Sequence, residues 1–106
     1  MEKSVFKKII DRELPAEIIY EDDLVIAIMD AFPVSEGHFL VIPKSEKPNM
    51  LTHSEEEMTY AFKVAYKLAK ERLWDKGIKD FRLMINTGLK GKQTVFHTHI
   101  HIVPYK

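Results

Sequence analysis

His97, His99 and His101 stand at alternate positions in the run Thr94-Val95-Phe96-His97-Thr98-His99-Ile100-His101-Ile102-Val103. Side chains on a β-strand alternate faces, so in a strand these imidazoles point one way. Phe96, Ile100 and Ile102 point the other, with Thr98 the polar member of that face. Imidazole changes charge near neutral pH, which suits it to proton transfer, nucleophilic attack or metal ligation. Core packing gives no reason for such a row.

Two chemistries compete for it. Neighbouring imidazoles on a strand are about 6.6 Å apart and can converge on one ion, but the outer pair is about 13 Å apart. A zinc or iron site usually adds a carboxylate or cysteine, and neither is local. Alternatively, a neutral imidazole nitrogen attacks phosphorus while its other nitrogen donates a hydrogen bond that fixes the tautomer. His99, the central ring, is then flanked by two rings placed to hold or relay protons. From Phe81 onward there is no Asp or Glu, whereas Arg82, Lys90, Lys92 and Lys106 are present. The preceding loop, Thr87 to Gln93, carries Gly88 and Gly91, and its N–H groups suit either a plain turn or a phosphate-binding concavity.

The elements that must position these groups follow from patterning. Ser4 caps a short helix through Asp11 with Val5, Phe6, Ile9 and Ile10 on its apolar side, and Pro15 ends that segment. Ile18–Tyr20 and Leu24–Met29 are strands joined at Asp22-Asp23. Asp30–Gly37 is a loop, and His38–Ile42 a strand closed by Pro43. Thr52 with Glu55, or Ser54 with Glu57, has capping-box spacing before a long helix. Met58, Ala61, Phe62, Ala65, Leu68, Ala69 and Leu73 form its apolar stripe, and Gly77 stops it. Phe81–Asn86 is the fourth strand and Thr94–Val103 the fifth, halted by Pro104. Short strands around one long helix predict an α+β domain, an antiparallel sheet with a helix packed on it. His53, beside the helix start, matches no motif and reads as solvated.

The chain has 106 residues, suiting one domain over 1–106. Sixteen acidic residues cancel sixteen basic ones, which argues against general nucleic-acid binding. The absence of cysteine excludes disulfides and thiolate–zinc sites, and no run approaches the roughly 20 apolar residues of a membrane span. The N-terminal residues lack a signal-peptide stretch, so a cytoplasmic location with no membrane partner is expected.

The closing Gln93-Thr94-Val95-Phe96-His97-Thr98-His99-Ile100-His101 resembles the signature of the histidine-triad (HIT) family. Phe6 to Asp23 and His38-Phe39-Leu40-Val41-Ile42-Pro43-Lys44 are similar to its Hint branch. The resemblance implies a homodimer of α+β subunits. Each has a five-stranded antiparallel sheet, a long helix and a short N-terminal helix, and the sheet is paired across the dimer. It also implies a purine nucleoside phosphoramidase that works through a nucleotidyl-histidine intermediate without cofactor or metal. By matching positions, His99 is the nucleophile and His97 accepts a hydrogen bond or relays a proton. His101 and Asn86 hold phosphate oxygens or the nucleophile's surroundings, Thr94 stands beside the leaving group, and His38 is a fourth histidine near the site. Asp30 holds the ribose hydroxyls. Phe6, Ile9, Ile28, Met29 and Leu40 form the base slot, with Gln93 and Val95 at the phosphate side.

Some features depart from that pattern or point elsewhere. Thr98 replaces a hydrophobic spacer, with a packing consequence expected. Lys92 stands where the Hint branch commonly has glycine, which sets a positive side chain near the phosphate loop. The chain ends five residues after His101, so the extension that reaches the neighbouring subunit's site in Hint proteins is expected to be missing. Gln93-Thr94-Val95 and Pro104 also resemble the Fhit branch, which cleaves dinucleoside polyphosphates. A nucleotide-binding scaffold that works through partners is the non-enzymatic alternative.

Overall fold

The computed structural model describes residues 2–106. The elements are α1 (Val5–Ile10), β1 (Ile18–Glu21), β2 (Val25–Met29), β3 (Phe39–Pro43), α2 (Glu55–Arg72), β4 (Asp80–Ile85) and β5 (Ile100–Tyr105), with single 3-10 turns at Met50–Thr52 and Trp74–Lys76. The strands form one sheet in the order β1-β2-β3-β5-β4, and every neighbouring pair is antiparallel.

Alternation along the strands sorts the apolar side chains onto two faces. Val25 and Ala27 of β2, Phe39 and Val41 of β3, and Ile100 and Ile102 of β5 pack against Ala61, Val64, Ala65 and Leu68 of α2. Ile26, Ile28, Leu40 and Ile42 face the other side, where Phe6 and Ile9 of α1 cover them. Leu40 is in register with His101 across β3 and β5, which puts that imidazole on the α1 side. Both faces of the sheet are therefore covered, and the chemistry lies on the thinner cover.

The helix ends follow their capping residues. Ser54 and Glu57 form the capping box of α2. The helix runs to Arg72, a 3-10 turn follows, and Gly77 closes it with φ +86°. The stop expected at Gly77 thus comes one turn earlier. Ser4 accepts from the Lys7 N–H to start α1.

The fifth strand departs most from expectation. Ladder pairing begins at Ile100, opposite Val41 and Ile85, so residues 94–99 are irregular and β5 continues through Pro104 to Tyr105. On the β3 side pairing ends at Ile102, beyond which a residue without an N–H is tolerated.

Candidate active site

Leaving the sheet before Ile100 separates the three histidines that a straight strand would align. His97 turns into the interior and is fully buried. Its Nε2 lies 2.9 Å from the Pro43 carbonyl, so the ring proton sits there and is donated to that oxygen. Nδ1, 3.0 Å from Ser4 Oγ, accepts the serine proton. Both nitrogens are thereby used, and the ring pins the start of α1 to the end of β3.

His99 is arranged in the opposite sense. Its Nδ1 lies 2.8 Å from the His97 carbonyl and must donate to it, so Nε2 carries the lone pair. The ring is buried, with Phe6 in edge contact at 4.7 Å between centroids. It lines a cavity of about 540 Å³ between α1 and the sheet.

A proton chain sets the remaining pair. The Val34 N–H donates to His38 Nδ1 at 3.1 Å, leaving the His38 proton on Nε2. His38 Nε2 then donates to His101 Nδ1 at 3.0 Å and stands 3.4 Å from Asp30 Oδ2. His101 therefore keeps its own proton on Nε2. With its ring 4.7 Å from that of His99, the site pairs a lone pair with an N–H donor at the cavity wall.

Burial favours the neutral form of all four rings. It holds His97, His99 and His38 below the ordinary histidine range. His101 is pushed down to about 4 by burial and then by its neighbours His99 and His38, with Asp30 opposing. A neutral His99 is the form that can attack.

The fold also answers the metal reading. Asp30, His38 and His101 bring three ligand atoms within 4.8 Å of one another, supplying a carboxylate that the local sequence lacks. His38 Nδ1 accepts from a backbone N–H, however, so its Nε2 is protonated on the very atom that would ligate. The cluster behaves as a proton-ordered hydrogen-bond chain.

Most expected site residues converge on the cavity. Phe6, Ile9, Ile28, Met29 and Leu40 form its apolar wall, with Asp30, Thr94 and Val95 beside His99 and His101. Asp30 Oδ1 accepts from the Phe32 N–H at 2.9 Å. Ala16, Glu17 and the exposed Phe32 also line it, without a site role expected from the sequence. His97, His38, Gln93, Asn86 and Lys92 stand outside the lining.

Gln93 is buried, with Nε2 donating to the carbonyls of Pro48 and Val95 and Oε1 accepting from the Gly88 N–H. Asn86 Nδ2 reaches the Lys92 carbonyl at 3.4 Å. The N–H groups of Gly88, Gly91, Lys92 and Gln93 all bond within the loop, which is therefore a closed turn and not an open phosphate cradle. Lys92 adopts φ +71°, a left-handed conformation suited to the glycine expected there.

His53 corrects the sequence reading: it is buried, not solvated. Its Nε2 lies 2.8 Å from Thr98 Oγ1. A helix-start position gives no hint of this, because the partner lies 45 residues away.

Comparison with known proteins bears on the same residues. Residues 11–106 match the HIT domain, a span that includes His38, the triad and Asp30. The chain belongs to the HIT family. HIT members are nucleotide hydrolases and transferases. This HIT chain is 36% identical to a purine nucleoside phosphoramidase from Escherichia coli K12 over 107 residues, 96% of this chain and 87% of that one. It is 40% identical over 108 residues to an adenylylsulfatase from Arabidopsis thaliana, covering 96% of this chain and 52% of the relative. A crystal structure of a HIT-like protein from Bartonella henselae superposes with a TM-score of 0.91 at 37% identity, over 96% of this chain and 79% of that one. The fold is the α+β HIT fold that the family resemblance implied.

Proposed function

We propose that this HIT protein cleaves purine nucleoside phosphoramidates at the α-phosphate through a nucleotidyl-His99 intermediate. The observation that carries the reading is the fixed tautomer of His99: Nδ1–H is held by the His97 carbonyl, leaving the Nε2 lone pair for attack. Nε2 forms a bond to phosphorus while the phosphorus–nitrogen bond to the amine breaks, and the amine takes its proton from a water at the Thr94 side of the cavity; the water that later attacks phosphorus gives one proton back to solvent. The His101 Nε2–H donates to a phosphoryl oxygen, a charge-assisted bond that strengthens as negative charge develops. Water then attacks phosphorus, displaces Nε2 and releases the nucleoside monophosphate. Asp30 takes the ribose hydroxyls, and the Phe6, Ile9, Ile28, Met29 and Leu40 wall takes the purine. The resemblance to the Escherichia coli phosphoramidase supports this substrate class.

The working unit is a homodimer. Its support is β4, a sheet edge that exposes Phe81 and Leu83, with Tyr66 of α2 and Trp74 of the 3-10 turn after it also exposed nearby. An open edge with this much apolar surface favours pairing with a second copy. Sedimentation equilibrium should give twice the chain mass, and a monomer at working concentrations would refute this part.

The test of function is the rate of AMP release from adenosine phosphoramidate, measured beside diadenosine polyphosphates and adenylyl sulfate. Preference for the phosphoramidate is expected. Preference for either other substrate keeps the nucleophile but replaces the substrate class, and cleavage of none refutes the enzyme.

A further inference from the structure

The geometry points to His53 as a positioning residue for the nucleophile, acting through Thr98. This rests on His99 being the attacking group. Upstream of Ile100 the segment bearing His97 and His99 has no ladder partner, so other contacts must orient it. The Thr98 N–H donates to the Lys47 carbonyl at 3.1 Å, and Thr98 Oγ1 lies 3.3 Å from the same oxygen. That N–H belongs to the peptide plane whose carbonyl is His97 O. The plane is rigid, so tying its N–H to Lys47 aims the carbonyl that fixes the His99 tautomer.

His53 completes this brace from behind. Thr98 Oγ1 lies 2.8 Å from His53 Nε2 and 3.3 Å from Lys47 O, so the hydroxyl is held between the two. The His53 side chain has no exposed surface, and it sits between the 3-10 turn and the capping Ser54 of α2. The brace thus ties the start of α2 to the peptide between His97 and His99.

Stability alone does not account for this histidine. Nδ1 is buried without a hydrogen bond, and its neighbour is Glu57 Oε1 at 3.5 Å. That oxygen already accepts from the Ser54 N–H and Lys47 Nζ. An unpaired buried nitrogen facing an occupied acceptor opposes folding, and an apolar pair would fill the space at lower cost. The Thr98 spacer, whose expected consequence was one of packing, instead supplies an oriented hydroxyl.

The test uses His53→Leu, Thr98→Val, the double variant and His53→Gln, whose amide retains a donor. Each single variant should lower kcat about tenfold, as expected for a misaligned nucleophile, with KM within twofold. The double variant should show the same tenfold loss, not its square, while its melting temperature returns to that of the wild type. His53→Gln should recover most of the rate. A purely structural role predicts that rate tracks melting temperature, so a double variant restored in both overturns the inference. Imidazole nitrogen NMR supplies a readout that needs no substrate. The wild type should show His99 protonated at Nδ1, and His53→Leu a mixture of tautomers. An unchanged His99 spectrum in a folded His53→Leu overturns the inference even if no substrate is turned over, whereas inactivity of the wild type bears only on the proposed reaction.

Discussion

Replacing Ser4 by Ala should destabilise the protein far more than loss of an ordinary helix cap. Ser4 Oγ does two things at once: it accepts from the Lys7 N–H at 3.0 Å and donates to His97 Nδ1 at 3.0 Å. Loss of the cap costs about 1 kcal/mol. Loss of the donor leaves a nitrogen of a fully buried ring unpaired, a further cost of about 1–3 kcal/mol. The sum, about 2–4 kcal/mol, corresponds to a fall in melting temperature on the order of 8–30 °C for a domain of this size. Calorimetry on Ser4→Ala and Ser4→Thr distinguishes the contributions, because Thr keeps both functions and should stay near the wild type. A fall limited to the roughly 4–8 °C of a cap alone would refute the claim that Ser4 satisfies His97. Because α1 carries Phe6 and Ile9 over the cavity, nucleotide affinity should fall together with stability.

Other perturbations test the remaining parts of the account. The histidine shifts are downward, so the unfolded chain binds protons first as pH falls. Stability should be intact above about pH 6.5 and decline on acidification toward pH 4, with His101 alone contributing about 3 kcal/mol of that loss. Urea midpoints that do not change over that range would contradict it. The acid limb of kcat/KM should lie below the ordinary histidine value, since burial holds His99 neutral; a limb above 7 would refute this. Gly91→Ala should cost about 1–3 kcal/mol in thermal denaturation, because its Cβ would fall 2.3 Å from the Thr87 carbonyl oxygen; an unchanged melting temperature would show that the turn yields easily. Chelation should leave turnover unchanged, given the proton on His38 Nε2, and a loss restored by a divalent ion would overturn that proton assignment.

The sequence disclosed what depends on local period. The apolar runs Leu24–Met29 and His38–Ile42 mark β2 and β3, and one of the two capping-box spacings, Ser54 with Glu57, marks the start of α2. The triad motif marked two of the cavity's residues, His99 and His101, because they stand close together in the chain, whereas Asp30 and His38 were legible only through the family resemblance. Long-range hydrogen bonds stayed hidden. Ser4 and His97 are 93 residues apart, and His53 and Thr98 are 45 apart, so no periodicity connects them. The run from Thr94 to His99 has the alternation of a strand, yet it lies beyond the end of β4 and parts from β3, although Ile42 and Pro43 continue that strand. The lack of a pairing partner overrides its local preference.

The central claim is that His99 Nε2 carries the nucleotidyl group. Intact-protein mass spectrometry after a rapid alkaline quench of a single turnover with adenosine phosphoramidate tests it directly. The account predicts one added adenylyl group that maps to His99 and is absent from His99→Asn, while that variant still binds AMP. Full turnover with no adduct on His99, or undiminished turnover by His99→Asn, would contradict it.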